Sequence, residues 1–541
     1  MKKKTTAMVM ASLMALTSIT SAFACTGTIV GSDWTDDGST IVARTEDISG
    51  NHAKNYIVHP RTTYKAGEMF KDVSTGFAYP QPSVAYQYTS VPDTDIQADG
   101  YYGEIGFNEY GVSVDATVSA SANEKAQAAD PYVEDGLREA DIVDVILPRV
   151  KSARAGVNLV VDILNEKGAA EGNVFTISDK DEVWYIEIYT GHRFAAYKVP
   201  DNVVAVFPNC FMLGYVDLNN AESYVASKDL IEFAKQNGFY QEYNGKFHAA
   251  LSYSEPISGG NRDRVWAGQN FLGHAVDYDA PVFDLFFTPD DGEKISVKDV
   301  MELQRYRNEG TEKTPEKDST VRTIGTERSA EAHIVQFKDE YPKKLGGLLW
   351  MTMGNPEHSV YLPSFGNIND TADAYQVEAI DYNADSAYWK FRSLSAVAEL
   401  NREMYGAGVR AYWDVYEDAL IAQQEQTDDT VVALMAKSED KAAAYTTELA
   451  ETIANDAMSK ADLMFSELMG YIAKNKTTDA FVPSVMAEFK AKEQKTETVP
   501  ATEVAPAETA AETTATTETV ATETAAESTT EAAPAAEAAA E

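Results

Sequence analysis

The sequence predicts an α+β fold in which helices pack on β-sheets, and three observations support this prediction. Residues 26–120 contain short β-branched runs between polar turns, which is typical of strands. Residues 139–166 then show apolar residues at helical spacing, interrupted at Pro148. Strand-like runs follow at 183–189 and 203–207. Strands, an intervening helical segment and further strands indicate helical layers on sheets.

The first predicted element is a β-hairpin. Its two β-branched runs, 28–31 and 40–44, are separated by a polar turn at 33–39. Because a hairpin brings the end of its second strand back to the start of its first, Arg44 and Asp47 are predicted to lie close to the beginning of the first strand. A surface ion pair at a strand end explains the same two residues, and their spacing alone does not exclude it.

The later elements are a covered strand and several helices. The run 183–189 has bulky residues on both faces, which predicts a strand covered on both sides. Residues 220–237 are predicted to form a helix. The segments 384–424 and 429–474 carry Leu, Ile, Val and Met at three- and four-residue spacing, so we interpret them as packing helices.

Composition excludes several classes of protein. The 541 residues contain 45 Lys+Arg and 85 Asp+Glu, a formal net charge of −40, which disfavours nucleic acid as a partner. A hydrophobic fraction of 44% is enough for a large core, so the chain is not disordered throughout. Two cysteines form neither a disulfide scaffold nor a four-cysteine zinc site. Since the chain also lacks a His-Glu-x-x-His motif and a Gly-rich phosphate loop, we expect no metal and no cofactor.

The first 24 residues have the pattern of a signal peptide. Three lysines precede a short apolar stretch at 7–19, and Ala22-Phe23-Ala24 fits the small-x-small cleavage rule. The apolar stretch is shorter than the ~20 residues of a spanning helix. The sequence therefore predicts an exported protein without a membrane span, cleaved between Ala24 and Cys25, which is periplasmic, secreted or associated with the cell surface.

Cleavage at this point makes Cys25 the first residue of the mature chain. One alternative is a lipoprotein, in which the cysteine after the signal is lipidated, but Phe23 fits that signal poorly. A second alternative is that the cysteine follows the cleavage site by chance. The third is an exposed N-terminal nucleophile.

An N-terminal cysteine supports amide hydrolysis without a catalytic histidine. The thiolate is the nucleophile, and the residue's own α-amine, with an ordinary pKa of about 7.7–8.0, is able to accept the thiol proton. Nucleophile and base then belong to one residue. A nearby Arg favours the thiolate, a nearby Asp orients the amine and an Asn side chain stabilises the oxyanion.

Ordered motifs run along the chain from residue 25 to about residue 420. They are Cys25-Thr26-Gly27 in segment 25–31, Arg44 and Asp47 in segment 43–47, Asn108-Glu109-Tyr110-Gly111-Val112, Trp184-Tyr185-Ile186-Glu187, Asn209 in segment 207–211, and Arg264-Val265-Trp266. Together they resemble the bacterial PepD-like cysteine dipeptidases. This family belongs to the N-terminal-nucleophile (Ntn) hydrolases and is related to penicillin V acylases and bile-salt hydrolases.

The resemblance implies an αββα sandwich, in which two stacked antiparallel sheets lie between helical layers. It also implies that Cys25 is nucleophile and base, that Arg44 supports the thiolate and that Asp47 holds the α-amine. Asn209 corresponds to the side-chain donor of the oxyanion hole, and Arg264 to an arginine near the nucleophile. Thr117 lies near the position of a second oxyanion donor.

Two features depart from the family pattern. Pro208 precedes Asn209 where the family has alanine, and Cys210 follows it where a polar residue is commoner. We interpret Cys210 as a small buried hydrophobe, neither a second nucleophile nor a disulfide partner of Cys25.

The predicted domain organisation has four parts. They are a signal peptide at 1–24, an Ntn-hydrolase domain at 25–424, a helical extension at 425–495 and a disordered Ala/Thr/Glu/Pro tail at 496–541. The tail is either a solvated end or a spacer, since it contains no aromatic residue to anchor it.

The predicted function is that of a secreted cysteine dipeptidase acting on small peptides. The alternatives are an acylamide hydrolase of the penicillin V acylase or bile-salt hydrolase type, and a non-enzymatic envelope lipoprotein. The sequence leaves the oligomeric state open, including a homo-oligomer.

Overall fold

The computed structural model describes residues 25–48, 52–474, 478–487 and 489, with the side chains of residues 99 and 116–118 left aside. The predicted signal peptide at 1–24 and the predicted tail at 496–541 lie outside the described residues. The described residues form one compact unit.

Two antiparallel sheets form the centre of this unit. The first has seven strands in the order β18 (Phe286–Phe287), β14 (Val204–Phe207), β1 (Thr26–Val30), β2 (Thr40–Asp47), β19 (Ser329–Phe337), β20 (Leu348–Met353) and β21 (Leu362–Phe365). The second has six strands in the order β15 (Tyr224–Ala226), β13 (Phe194–Val199), β12 (Glu182–Ile188), β11 (Gly172–Asp179), β10 (Ser113–Ala120) and β9 (Ile105–Phe107).

Four two-stranded ribbons extend from the sheets. They are β3 (Ile57–His59) with β8 (Tyr88–Ser90), β4 (Thr62–Thr63) with β7 (Val84–Ala85), β5 (Met69–Lys71) with β6 (Ala78–Pro80), and β16 (Glu242–Tyr243) with β17 (Lys246–Phe247).

The described α-helices surround the sheets. They are α1 (Ile96–Asp99), α2 (Glu124–Ala129), α3 (Ile142–Ile146), α4 (Ala153–Glu166), α5 (Leu230–Gln236), α6 (Ala249–Tyr253), α7 (Gly259–Phe271), α8 (Val297–Arg305), α9 (Ala387–Glu399), α10 (Ala407–Met435) and α11 (Glu439–Ala473). Short 3₁₀ turns occur at Glu139–Asp141, Lys343–Leu345 and Asp373–Gln376, and one π-helical turn at Arg402–Gly406.

The two sheets pack face to face. Ile29 and Val42 of the seven-stranded sheet belong to the same buried cluster as Val174, Tyr185 and Ala195 of the six-stranded sheet. Burial of an aliphatic or aromatic side chain contributes about 1.5–3 kcal/mol relative to exposure. The packed strands therefore hold their inward-facing side chains in fixed positions.

Helices cover the outer face of each sheet. Val160 of α4 packs with Trp184 on the outside of the six-stranded sheet. Val300 of α8 packs with Ile41 and Val206 on the outside of the seven-stranded sheet. The order of layers is helix, sheet, sheet, helix, so the predicted αββα sandwich of the α+β class, with helices in its C-terminal region, is confirmed.

Alternation along the strands decides which side chains reach the inter-sheet layer. In β1, Ile29 faces the partner sheet and Val30 faces the outer helices. In β2, Val42 faces inward and Ile41 outward. Because side chains alternate with a period of two, Arg44 shares the inward face of β2 with Val42.

The Asn-Glu-x-Gly-Val motif is a tight turn between β9 and β10. The Asn108 amide donates to the carbonyls of Leu147 and Val150, both at 2.8 Å, and its oxygen accepts from two backbone amides of the turn. Gly111 has a φ of 77°, a left-handed conformation that favours glycine. The motif therefore ties the turn to the segment between α3 and α4, and its role is structural.

One sequence prediction differs from the structure in detail, and the domain boundary at 424 stays a prediction. The helix expected at 220–237 is present only as α5, because Tyr224–Ala226 is an edge strand that pairs with β13. The residues of this strand pair with the edge of the six-stranded sheet, and this tertiary pairing overrides the helical pattern in the sequence. Position 424, where the sequence places the end of the hydrolase domain, lies inside the continuous helix α10.

None of the helices in the part of the chain that the structure describes combines the length and the apolar character of a membrane span.

Candidate active site

Cys25 lies immediately before β1, at the edge of the inter-sheet cluster, and is 1% exposed. Strand β1 pairs with β2 on one side and with β14 on the other, so Gly27 lies opposite both Arg44 and Phe207. A Cβ atom at position 27 would stand 2.1 Å from the Phe207 ring, which explains glycine there. Asn209 follows Phe207 by two residues, and this register brings Cys25, Arg44 and Asn209 together.

Arg44 is the hydrogen-bond partner of the cysteine thiol. Its Nη2 lies 3.2 Å from Cys25 Sγ, and its Nη1 pairs with Glu104. Burial lowers the pKa of Arg44, but the neighbouring Cys25 and Glu104 outweigh it and hold the pKa well above the ordinary value. Arg44 is 1% exposed, so the interpretation as a surface ion pair does not hold for this residue.

Burial favours the protonated form of the Cys25 thiol. Burial raises its pKa to about 12, although the Arg44 guanidinium acts in the opposite direction. Sγ accepts a hydrogen bond from Arg44, and a guanidinium that donates does not take up the thiol proton. A reaction at this thiol therefore needs a base that removes the proton as the nucleophile attacks.

Arg264, on helix α7, connects the cysteine backbone to Asn209. Its Nη1 donates to the Cys25 carbonyl and, at 3.1 Å, to Thr26 Oγ1. Its Nη2 donates to Asn209 Oδ1 at 2.9 Å and to Asn261 Oδ1 at 2.7 Å. Burial lowers the pKa of Arg264 to about 10, so the guanidinium stays charged at neutral pH.

This network fixes the orientation of the Asn209 amide. Because Oδ1 accepts from Arg264, Nδ2 is the remaining donor, and this buried atom has no hydrogen-bond partner among the described residues. A buried amide N–H without a partner is costly unless a ligand satisfies it. The arrangement suits a donor to an oxyanion formed at the Cys25 side of the site.

We expect Asn209→Ala to lower kcat for peptide hydrolysis by about 10²–10³-fold with little change in KM, since an oxyanion donor acts mainly in the transition state. Steady-state kinetics of the purified variant test this. Asn261→Ala is the matched control, because Asn261 shares the Arg264 contact. We expect that variant to lose less than about tenfold. Asn261 Nδ2 also donates to the Asn209 carbonyl at 2.9 Å. Equal losses in the two variants would therefore indicate that both residues act by holding this network, and not that Asn209 is an oxyanion donor.

Asp47 ends β2 and is buried. Its Oδ1 accepts from Ser329 Oγ at 2.6 Å, and its Oδ2 pairs with Arg322 Nη2 at 2.8 Å. Thr45 Oγ1 also donates to Oδ2 at 3.4 Å. A carboxylate has about four lone-pair positions, so these three partners leave room for a further donor. The role expected for Asp47, holding the α-amine of residue 25, stays a prediction.

Thr117 lies in β10, where the pairing with β11 shifts register between Asp115 and Val118. Its side chain lies outside the described residues, so its candidacy as a second oxyanion donor stays a prediction.

The sequence analysis missed a set of buried charges next to Arg44. The Lys54 ammonium lies 2.8 Å from Glu46 and 3.1 Å from Glu104. Burial raises the pKa of Glu104, but Lys54 and Arg44 outweigh it and lower the pKa to about 2. Glu139, in the 3₁₀ turn before α3, also approaches Arg44, with Oε1 at 3.8 Å from Nη2. The only feature of the sequence that could have indicated these buried charges is the presence of charged residues within otherwise apolar segments.

Among the described residues, two groups of side chains have the composition of a metal site. Glu46, Glu104 and Glu331 have carboxylate oxygens within 4.8 Å of one another, but Lys54 already pairs with two of them. The second group is Glu357, His358 and Glu399, and here Arg307 pairs with both glutamates at 2.7 and 2.9 Å. In both groups a cationic side chain of the chain itself balances the carboxylates.

Cys210 is a free, buried cysteine in the inter-sheet cluster, as is Cys25. Burial raises the pKa of its thiol to about 12, and Arg264 acts in the opposite direction. The two thiols are not joined, which agrees with the interpretation of Cys210 as a small buried hydrophobe.

A cleft of about 640 Å³ begins two residues beyond Asn209. Phe211, Met212, Ile257, Arg262 and Phe283 are among its lining residues. This volume is within the range of small-molecule sites. Cys25, Arg44 and Asn209 are not among its lining residues.

The layers define the class of fold: the chain is an αββα sandwich with a buried cysteine in the cluster between its sheets. It belongs to Peptidase family C69, whose profile matches residues 24–414, and it is a peptidase. The predicted resemblance to the cysteine dipeptidase family is confirmed.

Curated relatives and a solved structure are also similar to this chain. "Probable dipeptidase B" of Streptococcus pyogenes serotype M1 is 40% identical over 490 residues, 87% of this chain and 96% of the relative. "Probable dipeptidase" of Latilactobacillus sakei is 34% identical over 406 residues, 73% of this chain and 85% of the relative. The structure of a mutant conjugated bile acid hydrolase from Clostridium perfringens aligns with a TM-score of 0.31 at 11% identity, covering 63% of this chain and 92% of that one.

Proposed function

We propose that this protein is an exported cysteine dipeptidase in which Cys25, as the first residue of the mature chain, is both nucleophile and general base. The observation that carries the proposal is the contact between Arg44 Nη2 and Cys25 Sγ, 3.2 Å, at the residue that follows the predicted cleavage site. Further support comes from the dipeptidase names of relatives that match most of the chain.

The same proposal includes export of the protein and release of the Cys25 α-amine by cleavage of the signal peptide. Removal of residues 1–24 converts the amide nitrogen of Cys25 into an α-amine. That amine has an ordinary pKa of about 7.7–8.0 and is uncharged in a useful fraction of molecules at neutral pH. It supplies the base that the buried, protonated thiol requires.

In the acylation step, Sγ attacks the carbonyl carbon of the scissile peptide bond and a C–S bond forms. The thiol proton moves to the α-amine, directly or through one water. The carbonyl oxygen becomes an oxyanion and accepts a hydrogen bond from Asn209 Nδ2. When the C–N bond breaks, the α-ammonium returns the proton to the leaving amine, and a thioester on Cys25 remains.

In the deacylation step, the α-amine takes a proton from water as the water oxygen attacks the thioester carbon. The C–S bond breaks, the proton returns to sulfur and the product acid leaves. Arg44 stabilises negative charge on sulfur in both steps, and Arg264 holds the Cys25 backbone and Asn209 in place.

A substrate panel tests the proposal. Protein that begins at Cys25 is assayed with dipeptides, tripeptides, N-acylated amino acids and penicillin V. We expect dipeptides to be hydrolysed with the highest kcat/KM. Preference for penicillin V or for N-acylated amino acids would instead identify an acylamide hydrolase, and an intact mass with a diacylglycerol on Cys25 would identify a lipoprotein.

A further inference from the structure

Glu139 presents a buried carboxylate to the same side of the site as the cysteine thiol. Its Oε1 lies 3.8 Å from Arg44 Nη2, and that nitrogen lies 3.2 Å from Cys25 Sγ. Because both distances share Arg44 Nη2, the separation of Oε1 and Sγ is at most their sum, about 7 Å. Glu139 is 4% exposed, so its carboxylate is shielded from bulk water.

The other contacts of Glu139 orient the side chain without neutralising it. Oε2 accepts from Ser119 Oγ at 2.6 Å, and the Glu139 backbone amide donates to Glu171 Oε1 at 2.7 Å. Arg44, its nearest cation, is engaged more closely by Glu104. A shielded carboxylate with neutral or negative closest neighbours favours a cationic ligand.

We propose that Glu139 binds the α-ammonium group of the substrate residue whose carbonyl carbon Cys25 attacks. The inference rests on the proposed function, and it adds the chemical requirement for a free amino terminus. It predicts that hydrolysis occurs after the first residue of the substrate and that acyl groups without an amine are poor substrates.

The distances suit this arrangement. A thiol approaches a carbonyl carbon to about 3–3.5 Å before reaction. The α-nitrogen lies about 2.5 Å from that carbon, across one intervening atom. A charge-assisted N–H···O contact adds about 2.7–2.9 Å. The total reach exceeds the largest separation of Sγ and Oε1, so one substrate residue is able to contact both.

The ionisation of Glu139 supplies a pH dependence. Burial raises its pKa to about 7, Glu171 and Glu104 add to this, and Arg44 opposes it. The groups that face Glu139 are Arg44 on β2, Ser119 on β10, Glu104 before β9, Glu171 before β11, Tyr102 and Cys25. Because the ionised carboxylate is the form that binds, affinity for a dipeptide rises as pH rises through about 7. It falls again when the substrate amine loses its proton, near pH 7.7–8.0.

The test compares alanyl-alanine with propionyl-alanine, which differs by loss of the amine. The mature protein is expected to prefer alanyl-alanine by at least about 100-fold in kcat/KM. We expect Glu139→Gln to lower kcat/KM for alanyl-alanine by about 100-fold, mainly through KM, and that for propionyl-alanine by less than about threefold. Glu171→Gln is the matched control, because it removes a neighbouring carboxylate, and we expect a smaller loss on alanyl-alanine. Glu139→Asp keeps the charge and is expected to restore part of the loss.

Two kinetic outcomes would overturn the inference. If Glu139→Gln lowers kcat equally for both substrates, Glu139 acts on the thiol or on the Cys25 amine and not on the substrate. If it leaves alanyl-alanine unaffected while the mature protein hydrolyses dipeptides, the inference fails and the proposed function stands.

Binding separates the remaining cases. Calorimetry measures alanyl-alanine binding to Cys25→Ala, with and without Glu139→Gln. Binding that weakens with Glu139→Gln, in a chain whose unsubstituted form does not hydrolyse dipeptides, would keep Glu139 as the ammonium-binding residue but would reject the proposed function and the attack by Cys25. Absence of binding, or binding independent of Glu139, would overturn the inference. Circular dichroism of each variant confirms that it is folded.

Discussion

Cys25→Ala is expected to abolish dipeptide hydrolysis while the protein stays folded. Removal of a nucleophile costs about 10⁴–10⁶-fold in kcat. Cys25→Ala removes one sulfur atom from an inter-sheet cluster of many buried residues, so cooperative unfolding should persist. Steady-state rates together with thermal unfolding measure the two effects separately.

Cys25→Ser and Cys210→Ala sharpen this prediction. The serine hydroxyl occupies the same place but is harder to deprotonate and less nucleophilic, so most activity should be lost. Cys210 is the matched control, a second buried free thiol in the same cluster. We expect Cys210→Ala to keep its activity within about threefold. Normal turnover by Cys25→Ala would reject the nucleophile assignment outright.

Residues retained before Cys25 are expected to inactivate the protein by at least about 10³-fold, because an amide nitrogen has no useful basicity and the thiol loses its base. The design is a removable leader whose specific cleavage leaves Cys25 as the first residue. Activity is measured on one sample before and after cleavage.

The pH profile provides a second readout of this prediction. In the mature protein, kcat should rise with pH through the pKa of the α-amine, about 7.7–8.0 before any effect of its surroundings. The control for the cleavage treatment is a protein whose leader is cleaved one residue earlier, so that Ala24 remains before Cys25. Full activity in that control would refute the role of the α-amine.

Much of the site was predictable from sequence because local geometry builds it. The hairpin of β1 and β2 returns Arg44 to Cys25, as the two runs and their polar turn indicate. The structure also brings Asn209 and Arg264 to the same place through β14 and α7. Those two positions came from the family resemblance, since their separation in sequence gives no sign of proximity.

The remainder depends on contacts that a single sequence does not encode locally. Glu104 and Glu139 reach Arg44 from segments far along the chain, and neither sits in a motif. The strand Tyr224–Ala226 forms because β13 offers an edge, which overrides the helical pattern around it. Helix α10 continues through position 424. Apolar spacing in a sequence indicates where helices form, but it does not indicate where a domain ends.

The residue that carries the acyl group during turnover tests the N-terminal cysteine mechanism most directly. Mature protein is mixed with a dipeptide, quenched in acid and digested, and the N-terminal peptide is analysed by mass spectrometry. We expect a peptide that begins at Cys25 and carries the acyl part of the substrate. An active enzyme whose N-terminal peptide retains residues before Cys25, or whose acyl group resides on another residue, would contradict this mechanism.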